Sequence, residues 1–445
     1  MTTPAASAAS SGPAASSSPA ASSDPAASPA PPPLLIRRGR LFDPVAGAVL
    51  GPHDVLIDGD RIVEVSERPL SSPSAQVIDA AGRTVMPGLI DLHVHVMASQ
   101  LNLGTQGALP DALVTLRALP IMDGMLRRGF TTVRDAGGAG FGLKSAIAEG
   151  SARGPRLYTS GRALSQTGGH GDTRPRSDHL RPTAFCGCFR AGDIARVADG
   201  VDQVRRAARE ELQMGADQIK IMASGGVASP TDPIAATGYA DDEIRAIVAE
   251  ARARQTYVMA HAYTPEAIAR AVRLGVRTIE HGNLVDAETA ALMAAEGAFM
   301  VPTLVTYEAL AGEGARYGLP PESVEKIASV RTAGLGALEI LRDAGVRMGF
   351  GTDLLGPSHR LQSDEFRIRA QVLAPLEVLR SATVVGAEVL GETGRLGVVA
   401  PGAWADLLVV DGDPLADLGC LAGQGERIAL VMKGGRIQCR DGAAV

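Results

Sequence analysis

Short alternating segments at both ends of the chain set these ends apart from the central block. Near the amino end, Asp54–Ile57 is followed by the turn residues Asp58-Gly59-Asp60, and near the carboxyl end Asp406–Val410 has the same texture. Brief apolar stretches bounded by Gly, Pro and Asp are typical of β-strands joined by turns. We therefore predict a small β-sandwich domain built from both chain ends, over residues 34–86 plus 395–445.

The block between them, residues 87–394, carries short apolar runs that are each followed by a helical pattern. Helices such as Asp241–Arg254 and Pro265–Leu274 have apolar positions three and four residues apart. Eight strands that alternate with helices favour a closed (β/α)8 TIM barrel of the α/β class over an open sheet, which has no reason to stop at eight. The eight runs are Thr84–Val96, Thr131–Asp135, Arg156–Ser160, Gln218–Ala223, Tyr257–Ala262, Thr278–His281, Phe299–Leu304 and Arg347–Asp353.

Composition narrows the class of protein further. Apolar residues make up 45% of the 445 residues, which allows a large core, and the net charge of −6 contains no run of like charges. This balance does not favour nucleic-acid binding.

Residues 1–33 are almost wholly Ala, Ser and Pro and predict a disordered tail without the features of a secretory signal. Because no apolar stretch could span a membrane, we expect a soluble cytoplasmic protein, with export left open.

The four cysteines do not indicate a disulfide framework. Cys186 and Cys188 stand two residues apart without a second pair, so reduced thiols are favoured over a structural zinc site.

Reactive residues gather at the carboxyl ends of the predicted strands, where barrel enzymes carry their chemistry. His93 and His95 lie on one face of the first run, because strand side chains alternate with period two. Lys220 lies between two isoleucines, and a buried ammonium needs a partner or must lose its charge. A single histidine there is usually structural, and an Asp after Gly-Thr can cap a helix. Together the set favours a metal site; its members are His93, His95, Lys220, His261, His281 and Asp353.

The motifs around these residues resemble the amidohydrolase superfamily. Pro87–Val96 resembles its opening motif and Gly351-Thr352-Asp353 its closing one, and the resemblance covers roughly residues 34 to 440. Further motifs resemble the Xaa-Pro dipeptidase-like branch, which also contains bacterial ochratoxin A-degrading amidohydrolases. These are Ser165–Asp172, Lys220–Gly226, Ala260–Tyr263 and Glu280–Gly282.

The resemblance implies two divalent cations, usually Zn²⁺, bridged by an N6-carboxylated Lys220. It assigns His93, His95 and Asp353 to one cation and His261 and His281 to the other. Carboxylation needs the neutral amine, which an apolar strand favours by lowering the pKa of the lysine. Asp353 would take the proton from the attacking water and pass it to the leaving nitrogen.

Three residues are predicted to bind the substrate: His170, Tyr239 and Arg360. His170 lies in a Gly-rich loop and could bond the developing oxyanion or hold the loop. Tyr239 resembles the family tyrosine that contacts substrate, although simple packing also explains it. The segment 356–366 departs from the His-Gly plus Asn pattern of the dipeptidases and leaves Arg360 where a glycine usually stands, which makes an unusual amide substrate more plausible than Xaa-Pro. Other candidate partners for a substrate carboxylate are Arg162, Arg174, Arg176 and Arg367.

The predicted reaction is cleavage of an amide bond to a C-terminal amino acid, such as ochratoxin A to ochratoxin alpha plus phenylalanine. Three alternatives stay open: deamination, which Lys220 disfavours, lactone or cyclic-imide hydrolysis at the same site, and a non-enzymatic binding scaffold, which the filled ligand set disfavours. Relatives assemble into large homo-oligomers, so we expect one here, and an octamer is the size that the resemblance suggests.

Overall fold

Strands and helices alternate along most of the chain in a computed structural model, which describes residues 32–174, 190–227, 229, 232–317, 319 and 321–445. The predictions for the tail over residues 1–31, for Arg176 and for Cys186 and Cys188 lie outside the described residues. The strands are β1 (Leu34–Asp43), β2 (Ala48–Asp58), β3 (Arg61–Ser66), β4 (Gln76–Asp79), β5 (Thr84–Pro87), β6 (Leu89–Val94), β7 (Phe130–Asp135), β8 (Arg156–Thr159), β9 (Ala163–Ser165), β10 (Ala195–Val197), β11 (Ile219–Met222), β12 (Val258–Ala262), β13 (Thr278–His281), β14 (Phe299–Val301), β15 (Leu407–Val410), β16 (Ile428–Lys433), β17 (Arg436–Arg440) and β18 (Ala443–Ala444). The α-helices are α1 (Leu103–Gln106), α2 (Asp111–Arg127), α3 (Phe141–Glu149), α4 (Val201–Gln213), α5 (Asp241–Ala253), α6 (Pro265–Arg273), α7 (Ala287–Ala295), α8 (Leu304–Glu313), α9 (Pro321–Asp343), α10 (Asp364–Arg369), α11 (Pro375–Ser381) and α12 (Val384–Val389).

Strands from both chain ends share one nine-stranded sheet. Its order is β18-β17-β16-β15-β5-β1-β2-β3, and β4 pairs with β1. The two ends meet where β5 runs antiparallel to β15, with Thr84 opposite Val410 and Pro87 opposite Leu407. Apolar side chains from both ends, Ile36 among them, form one core cluster on this sheet. The nine strands are connected by hydrogen bonds as a single sheet, and the two-layered sandwich and its domain limits stay predictions.

The predicted run Thr84–Val96 is divided into two strands at Gly88. The first part, β5, belongs to the terminal sheet, and the second, β6, belongs to the central strands. The Gly88 N–H donates to the Asp406 carbonyl at 2.8 Å. A Cβ at position 88 would lie 2.0 Å from Thr131 Oγ1, so only glycine fits at this close approach. The sequence pattern missed the division because both strands are buried and apolar.

The central strands are parallel, and all of them are buried except β8, which is partly buried, and β10, which is half-buried. One group has the order β6-β7-β8 and the other the order β10-β9-β11-β12-β13-β14. The Asp217 N–H donates to the Thr159 carbonyl at 2.7 Å and so connects the end of β8 to the residues before β11. Strands that are covered on both faces read as continuous apolar runs, which is how they appear in the sequence.

The eighth predicted run, Arg347–Asp353, lies between β14 and β6 without forming a regular strand. The Gly349 N–H donates to the Met300 carbonyl at 2.8 Å, and the Leu92 N–H donates to the Phe350 carbonyl at 2.7 Å. A Cβ on Gly349 would lie 2.4 Å from Leu92 Cδ1. This glycine brings the run close to β6 and contributes no side chain to a ladder, which explains why the pairing is irregular.

The two helices named from periodicity are confirmed as α5 and α6. Helix α6 begins after Thr264, whose side chain accepts a hydrogen bond from the Ala267 N–H, and Pro265 occupies its first turn. Residues 32–445 form one compact unit. Among the described residues, no helix has both the length and the apolar character needed to cross a membrane.

Candidate metal centre

His93 of the H-x-H pair lies on β6 and His95 directly follows that strand. In each ring one nitrogen bonds to the protein and the other is turned towards Asp353. His93 Nδ1 lies 2.8 Å from Glu280 Oε2, and His95 Nδ1 lies 2.9 Å from the Gly137 carbonyl. The Nε2 atoms of His93 and His95 lie 3.4 Å and 3.2 Å from Asp353 Oδ1. A protein acceptor on one nitrogen fixes the tautomer and orients the other nitrogen for a metal, as metal-binding histidines almost always require.

Asp353 and His281 have backbone conformations that L-residues rarely adopt. Their φ angles are +52° and +74°. Such conformations persist only where the surrounding structure enforces them, and they cluster at functional sites. His281 Nδ1 lies 2.8 Å from Thr303 Oγ1. One ligand atom each from His93, His281 and Asp353 lies within 4.8 Å of the other two, a spacing that could hold a metal ion.

His261 extends this cluster towards His170. The ring centroids of His261 and His281 are 4.6 Å apart, and those of His261 and His170 are 4.4 Å apart with nearly parallel planes. His261 Nε2 lies 3.1 Å from the Gly225 carbonyl, which leaves Nδ1 as its open nitrogen. Burial lowers the pKa of His261 and of His281 well below the usual value, so both rings are neutral, as metal ligands must be.

Lys220 is buried at the middle of β11, with 2% of its surface exposed. Burial lowers its pKa to about 8, although the carboxylates of Glu280 and Asp353 oppose the shift. At neutral pH the amine is therefore neutral far more often than that of an exposed lysine. A neutral amine is the form that reacts with carbon dioxide to give a carbamate.

Asp353 stays ionised although it is largely withdrawn from solvent. Burial opposes the charge, but the charge of His93 and hydrogen bonds from His93 and His95 outweigh it and hold the pKa well below its usual range. A carboxylate that is ionised at neutral pH can accept a proton from water.

A buried ion pair that the sequence reasoning missed supports the histidines. Arg134 donates to Glu280 Oε1 at 2.9 Å and to the Leu92 carbonyl at 2.7 Å, and Glu280 contacts His93. Burial raises the pKa of Glu280, but Arg134 and His93 outweigh this effect and lower the pKa to about 2. Both residues lie within buried strands, where a charge needs a partner.

The predicted substrate-binding residues are scattered. His170 lies against the ring of His261, a candidate metal ligand. Tyr239 packs in the core between strands and helices, and its hydroxyl has no hydrogen-bond partner among the described residues. Arg360 is half-exposed and forms an ion pair with Glu313. The tyrosine that stacks on a candidate ligand is Tyr263, whose ring centroid lies 5.4 Å from that of His281.

The other arginines proposed for a substrate carboxylate have structural partners or lie at the surface. Arg162 pairs with the buried Glu211 at 3.1 Å, and Arg174 pairs with Asp172 at 2.7 Å. Arg367 is exposed on α10. The roles of Arg360 and Tyr239 in binding substrate stay predictions.

Comparison with known proteins places this geometry in a family. Residues 84–437 match the model of the amidohydrolase family. Ochratoxinase from Aspergillus niger is 32% identical over 370 residues, which are 79% of this chain and 75% of that protein. A solved prolidase in complex with N-methylphosphonate-L-proline is 60% identical with a TM-score of 0.90, over 92% of this chain and 100% of that one. A Xaa-Pro dipeptidase structure with bound methionine is 29% identical with a TM-score of 0.80, over 91% and 99%. The resemblance drawn from the motifs is thus confirmed, and the chain belongs to the amidohydrolase family.

Proposed function

We propose that this protein is a binuclear metal-dependent amidohydrolase that cleaves the amide bond to a C-terminal amino acid. The observation that carries the proposal is the convergence of four imidazoles and Asp353 near the carboxyl ends of the central strands, beside the buried Lys220, whose pKa is lowered to about 8. The bonds of residues 347–353 to β14 and β6 support a closed (β/α)8 barrel around this site. The names of the relatives, ochratoxinase, prolidase and Xaa-Pro dipeptidase, support the amide bond.

The donor set fits two divalent cations, with Zn²⁺ favoured. In each of the four rings one nitrogen lies within hydrogen-bond distance of a protein acceptor; the rings are His93, His95, His261 and His281. The second nitrogen of His93 and of His95 faces Asp353 Oδ1, where a cation could replace the shared proton. Neutral imidazole and carboxylate oxygen are ligands that Zn²⁺ prefers. Lys220 would supply a bridging oxygen as its carbamate, with loss of one proton when carbon dioxide adds to the amine. Bound cations would supply Lewis acidity and lower the pKa of water.

The protein's own residues then position the reaction and move its proton. Asp353 would accept the proton of the attacking water and return it to the leaving nitrogen, as its ionised state allows. His170 would contact the carbonyl oxygen of the substrate, because it stacks on His261 and lies beside the cluster. Glu280 and Arg134 would hold His93 in place.

An assay with a panel of amides would identify which substrates of this class the protein hydrolyses. We expect release of the C-terminal amino acid from one or more of ochratoxin A, N-acyl-phenylalanine and Xaa-Pro dipeptides. A chelator should abolish the activity and added Zn²⁺ should restore it, because the proposed chemistry depends on the cations.

Lactones, cyclic imides and aminopurines complete the panel as the alternative substrates. Hydrolysis confined to a lactone or an imide, or ammonia release from a purine, would contradict the amide proposal. Amino-acid release that survives complete metal removal would contradict the metal. Size-exclusion chromatography with light scattering would test the predicted homo-oligomer on the same samples.

A further inference from the structure

We propose that Asp232 is a positioning residue for His170, and that the two side chains form a hydrogen-bonded pair when the site is loaded. The proposal rests on the proposed function, in which His170 contacts the substrate carbonyl. His170 Nδ1 lies 3.8 Å from Asp232 Oδ2, about 1 Å beyond hydrogen-bond distance. A small movement of the ring or the carboxylate would close that gap.

Both members of the pair have an unsatisfied polar atom. His170 Nδ1 and Asp232 Oδ1 are buried and have no hydrogen-bond partner among the residues that the structure describes. Asp232 is itself 5% exposed. Buried donors and acceptors are paired in nearly all folded proteins, and an orphan in a native structure points to a function. The carboxylate oxygen that faces the orphan Nδ1 is Oδ2, which already accepts from the Gly226 N–H, and a turn of the carboxylate would bring the orphan Oδ1 towards the ring.

The backbone around Asp232 is anchored so that its carboxylate faces the ring. Asp232 Oδ2 accepts a hydrogen bond from the Gly226 N–H at 3.0 Å. Lys326 of helix α9 donates to the Asp232 carbonyl at 2.6 Å and to the Ser229 carbonyl at 2.8 Å. A lysine that binds backbone carbonyls of one loop serves to hold that loop against the helix.

The same loop fits closely against the histidine ring. A Cβ on Gly226 would lie 2.1 Å from both Nδ1 and Cε1 of His170, so a side chain at this position would displace the ring. The same ring stacks on His261. His170 is therefore held between a candidate metal ligand and the loop that carries Asp232, and a hydrogen bond at Nδ1 would fix its remaining freedom and leave Nε2 for the substrate.

The test is a double-mutant cycle on the metal-loaded enzyme. We expect Asp232→Ala to lower kcat by about 10–100-fold with unchanged metal content. Removing a residue that orients an active-site histidine typically has an effect of this size. Asp232→Asn should recover part of the loss, because its amide oxygen can still accept from Nδ1. In a His170→Ala background, Asp232→Ala should cause no further loss. Asp343→Asn, which removes an exposed carboxylate at the end of α9, is the matched control and should leave kcat unchanged.

Three outcomes would overturn the proposal. Losses that multiply in the double variant would show that Asp232 acts independently of His170, and loss of metal or of fold in Asp232→Asn would show a structural role. A crystal structure of the metal-loaded wild type gives a readout that needs no turnover. It should show His170 Nδ1 within about 3 Å of the Asp232 carboxylate; a gap that stays open would also overturn the proposal. If no amide is hydrolysed but His170 and Asp232 form the hydrogen bond, the proposed function is wrong and the proposed pairing is still supported.

Discussion

Replacing Asp353 by asparagine is expected to lower the rate of amide hydrolysis by about 10²–10⁴-fold and to leave most of the metal bound. The amide keeps an oxygen that can contact a cation, but it cannot accept the proton of the attacking water. The substitution should not strain the chain, since Asn tolerates the left-handed conformation that residue 353 adopts at φ +52° better than most residues do. Amino-acid release and metal content, measured on the same sample, separate the two effects.

The exposed acid Asp343 again provides the control for this variant. Asp343→Asn should hydrolyse the substrate at the wild-type rate, because this carboxylate lies at the surface with 69% of its side chain exposed. Normal turnover by Asp353→Asn would contradict the role of Asp353 in proton transfer. Loss of all metal from that variant would instead show that Asp353 acts chiefly as a metal ligand.

Changing Lys220 to methionine is expected to abolish most activity, by roughly 10³-fold or more, without unfolding the protein. The bridging oxygen would be lost, and a charge-stabilising interaction of several kcal/mol corresponds to such a factor. The fold should survive because methionine fits an apolar strand between Ile219 and Ile221 without a buried amine. Thermal unfolding monitored by circular dichroism should therefore show no loss of stability for the metal-free variant.

A smaller residue at the same position tests the carbamate itself. Lys220→Ala should be as inactive as Lys220→Met, and added acetate or propionate should restore part of the activity, because a carboxylate can occupy the space that the carbamate would fill. The methionine variant has no such space and should not respond. Wild-type rates in either variant would eliminate the bridging role of Lys220.

Much of the site could be predicted because its residues break the local pattern. Lys220 is a cation in an apolar strand, and His93 and His95 share a strand face, so spacing and burial alone pointed to chemistry. Arg134 and Glu280 are charged residues in buried strands. Their pairing depends on β7 and β13 coming together, which a single sequence does not reveal.

Other features could not be predicted because three-dimensional contacts decide them. The division of Thr84–Val96 at Gly88 depends on how closely Thr131 approaches. The irregular eighth run depends on the packing of Gly349 against Leu92. The position of Tyr263 also depends on such contacts: its ring stacks on His281, which the sequence does not indicate.

The central claim is that this cluster holds two metal ions which together support hydrolysis. Metal-depleted protein should be titrated with Zn²⁺ while metal bound per chain and amino-acid release are measured in parallel. We expect binding to saturate at two ions per chain, with full activity reached only as the second ion binds. Saturation at one ion per chain with full activity, or activity without bound metal, would contradict the binuclear site.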